Sequence, residues 1–376
     1  MSNTFSEEQS PLYGFQSKHL TGQVATLLKI SESTVKKSVK ELGLNVEKAV
    51  CGTVERHVFY SKDVFELAVR RRDRQGKDPS KTLRSVMFYN EKGGVGKTTL
   101  AREVACIFQL KGYRTLLIDS DGQNHLTNSM GYDADIDEEI AEEYGFDKTG
   151  IIRYHLGHLL DLGDPFVKGK PSSMSDVVKM PFGPFGPHLI PANESLNNAI
   201  YGIDKDPYGI NSIKNMLRKG LKAQTELLNL SEYDLVIFDC NPSRNRLVDA
   251  IFHATDFLII PMVLESLSLK GVNLALDKRE DLISKGYEEV PFPLIVGNQN
   301  KSKNTRCAKN VHKLQEMYPQ NFLNTLLREA EEMRALLEDD IRVPLCLAKP
   351  SSKLVNDYYE LADELEPIFF PNAVKK

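Results

Sequence analysis

The string EKGGVGKTT, residues 91–99, sets three glycines, two lysines and two threonine hydroxyls close together, and that pattern suits the handling of phosphate. Gly93, Gly94 and Gly96 permit the tight turns that aim successive backbone N–H groups at one anion. A helix starting directly after them adds the positive end of its dipole. In the general pattern G-x-x-x-x-G-K-[ST], Lys97 reaches the β- and γ-phosphates of a nucleotide and the Thr98 hydroxyl faces its Mg²⁺. Thr99 is placed to help hold the α-phosphate, and Val95 belongs to the same cradle. Position 91, a glycine in the general pattern, is Glu91, and a second lysine, Lys92, follows it.

Such a loop needs a strand before it and a helix after it. SVMFYN, residues 85–90, reads as the strand, and AREVACIFQLKG reads as a helix that stops at Gly112. Short apolar runs recur at 115–119, 235–239, 257–262 and 294–298, separated by amphipathic helical stretches. Strands apolar on both faces and divided by helices predict an α/β fold, a mostly parallel sheet with helices on both faces. About 115 residues lie between the second and third of these strands, more than one crossover requires. They are expected to hold extra helices, the loop at 181–187 and a short strand at 189–190.

The string KGGVGKTT resembles the deviant phosphate loop of the ParA/MinD group of P-loop ATPases, and further segments match that group in order. LLIDSDGQ (116–123) resembles its D-x-D-x-Q motif, LVIFDCNPS (235–243) its Walker B strand, ATDFLIIPMVLESLSLKG (254–271) a later strand and helix start, LIVGNQ (294–299) its adenine-reading strand, and VPLCLAKPSSK (343–353) the closing region that lines the base. The likeness covers about residues 84–367. It implies ATP/ADP and Mg²⁺ as ligands and a homodimer that sandwiches the nucleotides. Lys92 would then reach the other subunit's phosphates, Asp121 would orient the attacking water, Asp119 would support the Mg²⁺ environment, Asp239 would hold Mg²⁺ through a water, and Asn298 would read the adenine edge. Where the group more often has two prolines after the Walker B aspartate, this chain has Asn241 and Pro242. The likeness also implies non-specific DNA binding by the ATPase body, for which the basic segment 300–310, led by Arg306, is the candidate. A ParB-type centromere-binding partner would stimulate hydrolysis.

The net charge of −4 conceals an asymmetry: residues 1–86 hold 15 Lys and Arg against 10 Asp and Glu, leaving 33 against 42 for the rest. A basic head on an acidic body suggests an anionic partner for the head. GQVATLLKISESTVKKSVKELGL, residues 22–44, has helix-turn-helix spacing: Ala25 at the close approach, Ile30 in the turn, Val35 anchoring the second helix. Thr21 and Ser31 suit the two N-caps and Gly43 the final stop. The second helix would present Ser33, Thr34, Lys36, Lys37 and Lys40 to DNA, its first residues to base edges and its lysines to phosphates. Lys29 stands where the turn usually has glycine. A hairpin at 50–60 would form a wing, and Ser61 would cap a helix to about residue 72. Larger ParA proteins with an N-terminal winged helix-turn-helix are similar, and they repress their own operons.

The expected organisation is a leader (1–17), a winged helix-turn-helix domain (18–69), a linker (70–83) and a ParA-like P-loop ATPase domain (84–376). Hydrophobic residues at 41% and charged residues at 27% fit globular domains and exclude a fibre or a mainly disordered chain. The N-terminus lacks a secretory pattern, no apolar run approaches the roughly 18 residues of a span, and the acidic C-terminal stretch lacks a basic membrane-binding helix. Cys51, Cys106, Cys240, Cys307 and Cys346 are scattered, which disfavours a disulfide framework or metal knuckle and suits a reducing cytoplasm. The expected place is the bacterial cytoplasm, on the nucleoid, with no membrane partner. The function these readings imply is ATP-driven plasmid or chromosome partition; the alternatives are a nucleotide-gated transcriptional repressor and a MinD-like spatial regulator.

Overall fold

The computed structural model describes residues 17–51, 54–76, 83–145, 148–162, 166–265, 269–301, 303–329, 331–338 and 342–371. The leader at 1–16, the hairpin tip at Gly52 and linker residues 77–82 lie outside the described residues.

In the head, β1 (Lys18–Leu20), β2 (Glu47–Cys51) and β3 (Val54–Tyr60) form an antiparallel sheet in the order β1-β3-β2. Between β1 and β2 lie α1 (Thr21–Leu27) and α2 (Glu32–Leu42); α3 (Ser61–Arg74) follows the sheet. Ser31 caps α2 by accepting the Thr34 N–H, and Gly43 ends it in the left-handed conformation. The other two starts differ from the sequence reading by one residue. Thr21 and Ser61 are already helical, and the side chains of Gln23 and Asp63 accept the N–H groups of Leu20 and Tyr60. Strand β1 was not anticipated: three residues are too few to show alternation, and pairing of Lys18 with Tyr60 defines it.

The body is a seven-stranded parallel sheet in the order β10-β9-β8-β4-β7-β5-β6. Its strands are β4 (Arg84–Phe88), β5 (Thr115–Ser120), β6 (His188–Ile190), β7 (Leu235–Cys240), β8 (Phe257–Val263), β9 (Phe292–Asn300) and β10 (Phe322–Arg328). Successive side chains of a strand point to opposite faces, and the central strands fill a core on each. Val86, Phe88, Leu117, Ile237 and Ile259 pack on one face; Met87, Leu116, Ile118, Val236, Phe238, Leu258 and Ile260 pack on the other. This double burial, shared by β9 through Leu294 and Val296 on one face and Ile295 on the other, explains why five strands are visible as apolar runs. Edge strand β10 carries Asn324, Thr325 and Arg328 within it and is only partly buried, so its sequence shows no such run.

The expected linker starts too early. Residues 70–74 are the last turns of α3, and Arg72 is 5% exposed. A run of arginines there is compatible with helix because cations favour the negative end of the dipole. Arg72 is covered by the helix after the phosphate loop, α4 (Lys97–Leu110), and the turn beyond it. Its guanidinium lies 3.4 Å from the Tyr113 ring centre, and its Nη1 donates to the Lys111 carbonyl at 3.4 Å. Gly112 makes the approach possible: its φ is +91°, and a Cβ there would sit 2.6 Å from Arg72 Cβ. Head residues Val24, Leu27, Val35, Phe59 and Phe65 share one apolar core with α4 and the C-terminal helix Lys353–Phe369. The Tyr359 hydroxyl of that helix donates to the Leu27 carbonyl. Lys29 adopts φ 51°, which costs a non-glycine residue about 1 kcal/mol. Its ammonium bonds Asn356 Oδ1 at 2.9 Å and lies over the Tyr359 ring, so the strained turn is also a contact between head and body.

His19, in β1, is 2% exposed, and neither ring nitrogen has a hydrogen-bond partner among the described residues. Burial lowers its pKa from 6.5 to about 4. The folded chain therefore keeps His19 neutral while the unfolded chain protonates it, so its stabilising contribution is present above pH 6.5 and lost as pH falls toward 4. His155, lowered by burial to about 3, and His188, lowered to about 4, act in the same direction. The contribution of these histidines to unfolding free energy, read from urea titrations, should fall between pH 7 and pH 4. His19→Leu should flatten that fall by up to roughly 3 kcal/mol; an unchanged slope would contradict the assignment.

Candidate active site

The phosphate loop leaves the C-terminal end of β4, and the strands beside it bring acids to the same end. Asn90 fixes the loop's entry: its Oδ1 accepts the Lys92 N–H at 2.9 Å and its Nδ2 donates to the Pro261 carbonyl at 2.9 Å. Gly94 (φ 72°) and Gly96 (φ 87°) take the left-handed conformation, which leaves the backbone N–H groups free to form a nest before α4. The side chain of Lys97 is folded inward, with Nζ donating to the Lys92 carbonyl at 3.4 Å. Burial lowers its pKa, against the opposing charge of Asp239. Lys92, Gly93 and Gly94 are exposed, and Val95 is buried beneath them.

Parallel pairing of β5 with β7 sets Asp119 directly beside Asp239. The two carboxylates are held differently. Asp119 Oδ2 accepts both the N–H and the hydroxyl of Thr127, at 2.9 and 2.7 Å, and Oδ1 accepts the Asp121 N–H at 3.2 Å. Burial pushes its pKa up to about 7 despite these bonds. Asp239 takes a hydrogen bond from the Thr98 hydroxyl and is raised well above the usual carboxylate range, first by burial and then by the charge of Asp119. Its Oδ1 is buried with no partner among the described residues. A buried acceptor left unmade costs about 1–3 kcal/mol, and a lone oxygen beside Thr98 and Lys97 is what a cation-binding carboxylate presents before its ion arrives. Thr98 and Asp239 thus fit a magnesium ion. Asp121 is nearly buried; its Oδ1 accepts the Gln123 N–H at 3.0 Å and the Asn241 amide at 2.6 Å.

Two further segments bear on the loop. Asn298, at the end of β9, donates from Nδ2 to the Val95 carbonyl at 2.9 Å. The conformation of Gly96 matters here as well, since a Cβ would lie 2.5 Å from that amide. The closing region at 343–353 is bound to α4 through Glu103, whose carboxylate accepts the N–H groups of Leu345 and Cys346 and pairs with Arg102 at 3.0 Å.

The structure therefore gathers Lys97, Thr98, Asp119, Asp121 and Asp239 at the ends of β4, β5 and β7, with Asn298 against the loop. Thr99 continues into α4. Arg306 is exposed in the first turn of a separate helix, Thr305–Met317, while nearby Lys301 is paired with Glu265 at 2.6 Å. Ser33, Lys36, Lys37 and Lys40 are exposed on α2 with Thr34 half-buried, and Lys37 makes an ion pair with Glu41. Sequence reasoning missed Asn90, Thr127 and Glu103, because each holds backbone or another side chain rather than a ligand. It noted Glu91 and Asn241 only as departures. Glu91 accepts a 2.7 Å bond from Arg244 Nε, just after β7.

Loop, strand-end acids and parallel sheet together define a P-loop nucleotide-binding protein. A protein-family model described as an AAA domain (AAA_31) matches residues 83–289, more than half of the chain. The chain belongs to that family, the ParA/MinD type of P-loop ATPase. It is 28% identical over 285 residues to the cell division protein PomZ of Myxococcus xanthus, covering 76% of this chain and 78% of PomZ. It is 30% identical over 201 residues to a probable plasmid-partitioning protein ParA of Thermus thermophilus, covering 54% of this chain and about half (49%) of that relative. Among solved structures, cobyrinic acid a,c-diamide synthase from Mycobacterium smegmatis, with bound ADP and magnesium, shares the fold with a TM-score of 0.57 at 23% identity, covering 76% of this chain and 95% of that one. No helix among the described residues is long and apolar enough to cross a membrane.

The unpartnered oxygen of Asp239 gives a direct test. Since the folded environment raises its pKa, the ionised carboxylate destabilises the nucleotide-free chain as pH rises through the folded value. Asp239→Asn should stabilise the nucleotide-free protein at pH 8 by about 1–3 kcal/mol, read from urea midpoints. A less stable variant would show that Asp239 is held by an internal partner instead.

Proposed function

We propose that this chain is a ParA-like DNA-partition ATPase. The carrying observation is the set Lys97, Thr98, Asp121 and Asp239 at one end of β4, β5 and β7, where Asp239 takes the Thr98 hydroxyl on one carboxylate oxygen and leaves the other unmet. In this reading the loop N–H groups of residues 93–99 and Lys97 hold ATP. Thr98 and Asp239 hold Mg²⁺, with Asp119 behind them. Bound Mg²⁺ would supply charge neutralisation on the β- and γ-phosphates. Asp121 orients the attacking water. Catalysis then consists of positioning and of cations placed where negative charge develops.

Lys92, exposed on the loop, is assigned to the phosphates of a second subunit, which makes dimerisation depend on ATP. The same reading gives Asn298 to the adenine edge, its present bond to Val95 being exchanged when nucleotide enters. The dimer binds DNA without sequence preference through a surface that includes Arg306, and a ParB-type protein accelerates hydrolysis and so releases it. The head is a winged helix-turn-helix whose α2 residues Ser33, Thr34, Lys36, Lys37 and Lys40 meet the operator. This places the protein in the bacterial cytoplasm, on the nucleoid. The shared core of head and body favours one second reading, a repressor whose operator affinity is set by nucleotide state, with hydrolysis only as a switch.

An ATPase assay with and without random duplex DNA and a ParB-type partner separates the two. ATP-dependent binding to random DNA supports partition, and binding to an operator alone supports the repressor. Lys92→Ala should abolish the ATP-dependent dimer seen by light scattering while ATP still binds; a normal dimer with normal turnover would remove the cross-subunit role. Arg306→Glu should weaken binding to random DNA and reduce the slope of log affinity against log salt by about 1. An unchanged slope would relocate the DNA surface.

A further inference from the structure

Glu91, where the general phosphate-loop pattern has glycine, and Asn241, where the group more often has proline, are joined by the loop after β7. Asn241 has both ends of its amide committed. Its Oδ1 accepts the Ser243 N–H at 2.7 Å, and its Nδ2 donates to Asp121 Oδ1 at 2.6 Å. The first bond fixes which end of the amide is oxygen, because only an acceptor can meet an N–H. The second therefore has to be a donor to the carboxylate, a charge-assisted bond. A proline at 241 could make neither. Three residues on, Arg244 Nε donates to Glu91 Oε1 at 2.7 Å, so the loop is also anchored to the first residue of the phosphate loop, where the general pattern has a glycine that offers no carboxylate.

We infer that Asn241 is a positioning residue for hydrolysis: it locks Asp121 by one oxygen so that the other is presented to the attacking water, while the Arg244–Glu91 pair holds the loop that carries Asn241. This rests on the reading of Asp121 as the water-orienting group. Oδ1 of Asp121 already has two donors, the Asn241 amide and the Gln123 N–H, which leaves the carboxylate little freedom to rotate. Arg244 is largely exposed while Glu91 is mostly covered. Exposed ion pairs contribute little, so the anchor ranks second to the amide.

The test uses the full-length protein, ATP turnover and equilibrium binding of a fluorescent ATP analogue with Mg²⁺. Asn241→Asp keeps the side-chain shape and the acceptor for Ser243 N–H but replaces the donor to Asp121 with a like charge. It should lower kcat by about tenfold to a hundredfold, the scale of a misplaced catalytic group, with analogue affinity within about twofold of the native protein. Should that variant fail to fold, Asn241→Ala carries the same expectation. Arg244→Ala should cost only about threefold in kcat. Native turnover in Asn241→Asp would overturn the inference, because the turn alone would then suffice. Loss of analogue binding in parallel with kcat would also overturn it, since the loop would be serving the nucleotide rather than the water. Asp121→Ala, run alongside, keeps the two levels apart: if it turns over normally, the water-orienting reading itself fails, whereas an inactive Asp121→Ala beside a fully active Asn241→Asp rejects only the role of Asn241.

Discussion

The structure is organised around two carboxylates forced together in a dry place. Parallel pairing of β5 with β7 puts Asp119 beside Asp239 with both buried, and neither can move apart without breaking the sheet register. Like charges in low dielectric repel and desolvate at high cost, so each needs a specific solution. Asp119 is satisfied internally, by Thr127 and the Asp121 backbone. Asp239 keeps one oxygen unmet. The asymmetry separates the two: one acid is held by the protein itself, and the other presents an unmet oxygen, which is the one the proposed reading gives to Mg²⁺. Lys97, drawn inward against its own desolvation, partly compensates Asp239.

Much of the remaining architecture hangs from α4. Its first turn carries Lys97 and Thr98. Glu103 in its middle holds the closing region at 345–346, and the turn at its end receives Arg72 of the head over Tyr113. One rigid element thus spans the phosphate end of the site and the docking face of the head. The strained Lys29 turn and the Tyr359–Leu27 bond fasten the head a second time, to the C-terminal helix. Two independent attachments restrict how the head can move relative to the phosphate loop, whatever α2 binds.

The sequence made legible those residues whose type and spacing are dictated by chemistry or by double burial. The glycines and lysine of 93–97 can be read directly because phosphate geometry admits few substitutes. Strands β4, β5, β7, β8 and β9 are legible because both faces are buried. The roles proposed for Asp119, Asp121 and Asp239 rest on a family resemblance, since an acid at a strand end is otherwise indistinguishable from a helix cap. Residues that position other groups left no trace: Thr127 and Asn90 look like ordinary polar residues until the fold brings them to Asp119 and to the loop. Edge strand β10 was hidden because a half-exposed strand mixes polar with apolar residues and resembles an amphipathic helix. Arg70 to Arg74 were misread as linker because a charged run looks solvated, whereas tertiary packing buries one arginine of that run and pairs others with Glu66 and Glu41.

That misreading changes what the charge asymmetry means. The basic excess of residues 1–86 was first an argument for an anionic partner. Several of its cations are consumed inside the molecule: Arg72 lies on Tyr113 and Arg84 bonds the Phe369 carbonyl, while Lys29 bonds Asn356 and Lys48 pairs with Glu55. A count of charges cannot separate cations that hold a domain in place from cations that meet a ligand; only their partners can. Lys36 and Lys40 of α2 are exposed and take part in none of these pairs. The case for a DNA-facing head therefore narrows from a net charge to one face of one helix, where a few lysines adjoin the Ser33 and Thr34 hydroxyls at the helix start.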